Sequence, residues 1–305
     1  MSSAANAAHC DVLCVGHAAY DLVFSVPRHP GQDEKIFADA LLACGGGPAA
    51  NAAVIVARLG LRAAFSGYLG QDLYGDSHVS ELAREGVDTR WLARGANPTP
   101  LSAVLVKPDG ARALVNYKGE TRALPADGID FADIRPKVLL FDGHEPFLSI
   151  ALAERARAEG IPTVLDAGSL HEGTKALMGR VDYLAASEKF ASQWLEGGDG
   201  ADALEGLAAV APAVVITLGE RGLVWRKNGE SGALPAFPVR AIDTTGAGDA
   251  FHGAFAAGLA RDLPWAELLR YASAAGALCC QRAGARPGLA TEQELRDFLA
   301  LNPPA

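Results

Sequence analysis

No cysteine in this chain is followed by another at Cys-x-x-Cys spacing, and the five present (positions 10, 14, 44, 279 and 280) are an odd number. Structural zinc and a disulfide framework are therefore not expected; reduced, mostly buried thiols of a cytoplasmic protein are. No segment reaches the ~18 apolar residues that a membrane span needs. The first eight residues lack a positive n-region and a long apolar core, so they read as a frayed end and not as a secretion signal. Positive charge is in deficit: 27 Lys and Arg stand against 36 Asp and Glu, a formal net charge of −9. That argues against a nucleic-acid partner, though local dipoles can still hold a phosphate-bearing ligand. There is no internal repeat and no low-complexity linker. There is also no Gly-x-x-x-x-Gly-Lys-Ser/Thr, which excludes a P-loop NTPase.

What is present is a large apolar fraction, half of 305 residues, enough for one sizeable α/β domain taken as 9–305. Asp11 to Gly16 reads as a central parallel strand. Tyr20–Val26 and Lys35–Leu42 read as strands with one wet face. Pro48–Leu59 is a helix with proline in its first turn and Gly60 as its stop. A strand over 62–69 and a helix over 74–85 follow. Strands at 102–106 and 112–117 flank Lys107-Pro108-Asp109-Gly110, a hairpin signature. Beyond Lys137 the pattern alternates: strands at 138–142, 162–166, 181–185 and 213–217, helices at 147–159, 171–178, 187–196 and 201–209. A hairpin at 222–227 and 231–235 and helices at 249–261, 264–282 and 291–300 complete the chain. Such alternation calls for a mostly parallel sheet covered by helices on both faces. Two stretches, about 18–43 and 98–120, interrupt it and could form one small sheet projecting from the main body.

Residues 242–251 read Ile-Asp-Thr-Thr-Gly-Ala-Gly-Asp-Ala-Phe. An extended β-branched stretch, a turn of minimal bulk at Gly246, Ala247 and Gly248, and a helix start make an anion site, because unpaired N–H groups and the helix dipole converge there. A carboxylate beside such a pocket repels its anion. Its presence makes sense if Asp249 takes a proton from a nucleophile about to attack phosphorus. The plainer reading is a tight turn with Asp249 as a helix cap. Phe251 stands where a dinucleotide fingerprint wants glycine.

A second string, Gly45-Gly46-Gly47-Pro48-Ala49-Ala50-Asn51, puts glycines at a helix N-terminus and an amide one turn in. An amide both donates and accepts, which suits a polyol; the alternative is an Asn51 bonded to backbone. Asp21 follows the first strand and could clamp two adjacent hydroxyls, or be a solvated charge. Thr217, Gly219 and Gly222 open a turn at the carboxyl edge of the sheet, where ligands of open α/β sheets lie. His17, His144 and His252 are not spaced as a metal set, though His144 and Glu145 end a strand and could reach a ligand.

The two glycine strings, with Gly67-x-x-Gly70-x-Asp72-x-x-Gly75 between them, resemble the N- and C-terminal signatures of the ribokinase-like, or PfkB, carbohydrate kinases, over nearly the whole chain. The resemblance implies a three-layer α/β fold with a small β-sheet lid built from the two interruptions. It implies Asp249 as catalytic base, with the Gly246, Ala247 and Gly248 amides as the anion hole. Asp21, Gly46, Gly47, Asn51 and His144 would bind a sugar, and Ser187, Thr217, Gly219 and Gly222 the adenine nucleotide ATP. Carbonyls near Asp243, Thr245, Gly284 and Gly288, the last two in a loop, would hold a monovalent cation, usually potassium. The family's Asn-x-x-Glu turn, which orders magnesium, is altered here: Ser187 replaces the asparagine and Phe190 the glutamate, leaving Glu188 or Asp166 for the magnesium shell. The implied reaction is ATP-dependent phosphorylation of a sugar hydroxymethyl group, of ribose or a fructose-type ketose. His144 stands where a sulfofructose-kinase branch uses arginine, which counts against a sulfonated substrate. A nucleoside kinase and a non-catalytic sugar-binding regulator remain as alternatives. A homodimer through the lid is also expected.

Overall fold

A computed structural model describes residues 8–108, 110–195 and 200–303. Asp109 of the expected hairpin turn, the last residue of the helix expected over 187–196, and residues 1–7 lie outside these.

The chain begins with β1 (Ala8–Val15), β2 (Ala19–Ser25), β3 (Ala40–Gly46), α1 (Pro48–Arg58), β4 (Ala63–Gly70), α2 (Leu73–Arg84) and β5 (Leu92–Gly95). It continues through β6 (Leu101–Val106), β7 (Arg112–Tyr117), β8 (Ile134–Phe141), α3 (Pro146–Glu159), β9 (Thr163–Ala167), α4 (Glu172–Leu177), β10 (Tyr183–Ser187), α5 (Glu188–Trp194) and α6 (Gly200–Ala208). The last third holds β11 (Ala213–Thr217), β12 (Leu223–Lys227), β13 (Glu230–Leu234), α7 (Ala247–Ala260), α8 (Trp265–Cys279), α9 (Ala285–Gly288) and α10 (Glu292–Leu301).

Nine strands form the large sheet in the order β13-β12-β11-β10-β9-β8-β1-β4-β5. Only the β11–β12 and β12–β13 pairings are antiparallel. Side chains alternate across a strand, so β1 feeds two cores. Val12 and Cys14 join the core beneath α1, α7 and α8, while Leu13 and Val15 join the one beneath α3 and α6. Both faces of the sheet are thus covered, the three-layer arrangement expected for a chain with alternating elements. The four remaining strands form a separate sheet, β3-β2-β6-β7. Its outer pairs are antiparallel and its central pair, β2 with β6, is parallel.

Three local expectations are corrected. The strand expected at Lys35–Leu42 runs instead from Ala40 to Gly46, because β3 pairs with all of β2, from Ala19 opposite Gly46 to Ser25 opposite Ala40. Gly45 and Gly46 therefore end a strand, and Gly47 alone caps α1. Residues Gly246 to Gly248 are not a separate turn: Gly246 is the cap, at φ 79°, and Ala247 and Gly248 already belong to α7. The left-handed residue bends the chain sharply enough for the helix to start one residue later. Gly284–Gly288, expected as a loop, contains the single helical turn α9, entered at Gly284. The short strand β5 pairs with β4 over four residues and has no alternation to announce it.

Candidate active site

The site lies where β1, β8, β9, β10 and β11 end. Its centre is the mouth of α7. A Cβ at Gly246 would stand 2.6 Å from the Cβ of Ala285 and 2.8 Å from its Cα, so only glycine lets α7 begin against α9. The first intrahelical bond runs from the Ala250 N–H to the Gly246 carbonyl. The N–H groups of Gly248 and Asp249 precede it and point out of the helix end, where the dipole is positive.

Asp249 sits in this first turn with its carboxylate in a recess. Asn51 Nδ2 donates to Asp249 Oδ2 at 2.7 Å. Burial, then the charge of Asp166, raise the Asp249 pKa to about 6; Asn51 and His252 oppose them. Behind it, His252 Nδ1 lies 3.0 Å from Asp166 Oδ2, and His252 Nε2 is 3.1 Å from the Ala185 carbonyl. Burial works against a charge on His252, but Asp166 and Asp249 outweigh it and its pKa is raised.

Asp21 stands on β2, directly over Gly46. A Cβ at Gly46 would fall inside the Asp21 carboxylate, so the glycine makes room for that side chain. Burial raises the Asp21 pKa, against a hydrogen bond from Ser102 and the charge of Arg286. Gly47 packs its backbone on His17 and Ala18. The structure thus brings Asp21, Gly46, Gly47, Asn51 and Asp249 close together. His144 faces the same end, its ring stacked on His171 at 4.7 Å and tilted against His17 at 5.0 Å. Glu145 does not turn to the cleft: its carboxylate accepts from the Leu124 N–H at 2.6 Å, and burial pushes its pKa up to about 7.

The carboxyl edge of β10 and β11 carries the other expected residues. Ser187 Oγ accepts from the Phe190 N–H at 3.0 Å and donates to the Gly168 carbonyl at 2.9 Å, so it caps α5. Thr217 Oγ1 donates to the Ala186 carbonyl at 3.3 Å. Gly219 and Gly222 bracket a short 3-10 turn before β12. Glu188, at the mouth of α5, pairs with Arg221 across the same edge. Among the described residues no three His, Cys, Asp or Glu side chains converge as a metal set. An ion that keeps most of its water needs only one or two carboxylates; here Glu188 is paired with Arg221, and Asp166, on the neighbouring strand β9, is buried against His252.

Asp243 ties the segment before α7 to α9. Its carboxylate accepts from Thr245 N at 2.8 Å, Thr245 Oγ1 at 2.6 Å and Gly284 N at 2.8 Å. The Thr245 and Ala285 carbonyls converge on Cys279 Sγ, at 3.5 and 3.9 Å. The Gly284 carbonyl is taken by the Gly288 N–H. Each of these carbonyls thus already accepts one hydrogen bond and keeps its second lone pair.

Three residues at this site, Asp142, Arg112 and Arg286, escaped the sequence reading, and His252 was weighed there only as a metal ligand. Asp142, after β8, accepts from the N–H groups of His17, His144 and Ala49 at 2.7, 2.9 and 3.2 Å, fixing three segments with one carboxylate. Arg112, on β7, hydrogen-bonds Thr245 and lies 3.8 Å from Asp243. His252 backs Asp249 as described. Arg286, 3% exposed, donates Nε to Asn51 Oδ1 at 3.1 Å. Only Asp142 carried a signal, an acidic residue closing an apolar strand ahead of glycine.

A doubly covered parallel sheet with ligand-facing strand ends, a small second sheet and a carboxylate at a glycine-opened helix define a sugar kinase of the ribokinase-like fold. The chain belongs to the pfkB family of carbohydrate kinases, whose family model matches residues 10–292. A ribokinase of Haemophilus influenzae is 28% identical over 297 residues, 93% of this chain and 97% of that protein. Fructokinase-1 of Zea mays is 30% identical over 295 residues, 86% of this chain and 90% of that protein. A ribokinase of Arabidopsis thaliana, solved with ribose and ATP, has the same fold, with a TM-score of 0.82, 24% identity, and coverage of 96% of this chain and 99% of that one. No helix among the described residues is long and apolar enough to cross a membrane.

Proposed function

We propose that this kinase transfers the γ-phosphoryl group of ATP to the hydroxymethyl group of ribose or of a fructose-type ketose, with Asp249 as general base. The observation that carries the reading is the Asp249 carboxylate, recessed at the mouth of α7 with one oxygen held by Asn51 and a pKa raised to about 6. A base of that pKa is ionised at neutral pH and remains basic enough to take a proton as the oxygen attacks. The relatives support the substrate pair: one acts as a ribokinase, one as a fructokinase, and the Arabidopsis ribokinase was solved with ribose and ATP.

In this reading Asp21 binds adjacent hydroxyls of the sugar over Gly46 and Gly47, and His144 contacts its far end. Asp249 receives the proton of the attacking hydroxyl. The Gly248 and Asp249 N–H groups at the start of α7 take the charge that develops on the transferred group, whereas the Ala247 N–H is spent on the Thr244 carbonyl. Ser187, Thr217, Gly219 and Gly222 border the nucleotide, Ser187 through the α5 cap and not through a free hydroxyl. Magnesium, carried by ATP, supplies charge neutralisation, with Glu188 and Asp166 placed for its water shell. A monovalent cation would rest on the Thr245 carbonyl near Asp243 and the 284–288 turn. The exposed Leu41, Leu114, Val115 and Tyr117 on the small sheet support a homodimer through that sheet, acting as a lid.

A panel of ribose, fructose, tagatose, deoxy-ketogluconate and adenosine with ATP, read by ADP release, tests the reading. Turnover of ribose or a ketose above the others is expected. Preference for adenosine, or tight sugar binding with no ADP formed, would overturn it.

A further inference from the structure

Arg286 is a buried cation that the proposed chemistry does not use. It is 3% exposed, and a single side chain, that of Asn51, separates its guanidinium from Asp249. Nε donates to Asn51 Oδ1 at 3.1 Å, Nη1 to Glu81 Oε1 at 3.1 Å, and Nη2 lies 3.3 Å from His78 Nε2. Glu81 Oε2 accepts in turn from the Gly45 N–H at 2.7 Å. One chain of contacts therefore runs from the glycine strand over the sugar position, through α2 and α9, to Asn51 on α1 and Asp249 on α7.

The direction of this chain is set by chemistry. A guanidinium has five donors and no acceptor. Only the carbonyl oxygen of Asn51 can face it, so the NH2 must face the opposite way, at Asp249 Oδ2, 2.7 Å away. A flipped amide would set its oxygen against the carboxylate and its NH2 against the guanidinium, two repulsions in place of two bonds. Lysine could keep the charge beside Glu81 but has no planar N–H fork to hold the amide.

We propose that Arg286 is a positioning residue for phosphoryl transfer: it fixes the Asn51 amide so that Asn51 grips one oxygen of Asp249 and aims the other at the acceptor hydroxyl. The inference rests on Asp249 being the base. A misaimed base costs rate more than binding, since the reacting atoms must be aligned at the moment of transfer.

A double-mutant cycle tests it, using the best acceptor of the sugar panel with ATP and a thermal melt of each variant. Arg286→Lys keeps the charge that Glu81 needs, which protects the fold. It should lower kcat by about 10- to 100-fold with a much smaller change in KM for the sugar. In an Asn51→Ala background the same substitution should cost less than about twofold, because the side chain through which Arg286 acts is gone. A purely structural Arg286 would give equal losses in both backgrounds, tracking the melt, and would overturn the inference. Asp249→Asn is run alongside. If it keeps turnover, the base reading fails and this inference with it. If it is inactive while the cycle is additive, only the inference fails.

Discussion

Asn51 and Asp249 stand 198 residues apart in the chain and meet side chain to side chain at 2.7 Å. That one hydrogen bond joins the helix that follows the first glycine string to the helix that follows the second. Each string alone could be a tight turn; this bond sets the starts of their two helices side by side.

Replacing Asp249 by Asn should leave a folded protein and lower kcat by about 10²- to 10⁴-fold, the range for losing a general base. In the wild type the base must be ionised to act, so kcat/KM should fall below a pH of about 6 and level off above it. Initial rates between pH 5 and 8 check both. A flat profile through that window would contradict the assignment.

Glu145 gives a stability prediction of definite sign. Its folded pKa, about 7, lies above the ordinary value of 4.5, because burial disfavours the charged form. The folded state holds this proton more tightly, so the contribution is complete below pH 4.5 and is lost as pH rises through 7. The full loss is about 3 kcal/mol at 1.36 kcal/mol per pKa unit. Glu145→Gln keeps an acceptor for Leu124 without the charge. Its Tm should match wild type near pH 4.5 and exceed it at pH 8. A variant less stable at pH 8 would show that the carboxylate is favourable there.

Gly246→Ala places a Cβ in the left-handed region and 2.6 Å from Ala285 Cβ. Strain of this kind costs about 1–3 kcal/mol. Because the first turn of α7 is displaced as well, kcat should fall further than the melting shift accounts for. Equal kcat in a protein of lowered Tm would remove Gly246 from the anion cradle.

Gly46→Ala forces the Asp21 carboxylate aside. KM for the sugar should rise by about tenfold or more, as for loss of one hydrogen bond to a charged group. KM for ATP should hold constant. A parallel rise in both constants would point to collapse of the cleft and not to a lost sugar contact.

The parts of this site that could be read from the sequence are those where local geometry demands a residue type. Gly246 and Gly46 are such positions: one needs positive φ, the other needs empty space. The alternation of apolar runs likewise located the central strands, because a strand buried on both faces must be apolar throughout. Where pairing or distant charge decides, the sequence is mute. The end of β3 depends on its register against β2, so the strand slid to Gly46 although Lys35–Leu42 looked the more strand-like. Arg286 in Gly-Ala-Arg-Pro-Gly has the look of a surface loop charge. Its partners Glu81 and Asn51 are 205 and 235 residues away, and nothing local records their approach. The helix beginning at Ser187 was legible from its pattern, but not that the Ser187 hydroxyl is spent on capping it.

Arg112 binds Thr245 from the outermost strand of the small sheet, and its charge lies 3.8 Å from Asp243. If the small sheet acts as the proposed lid, its opening would have to break this contact with the stretch leading into α7. In that case the Asp243–Thr245 knot beneath α7 would hold one bolt fewer whenever the door stood ajar.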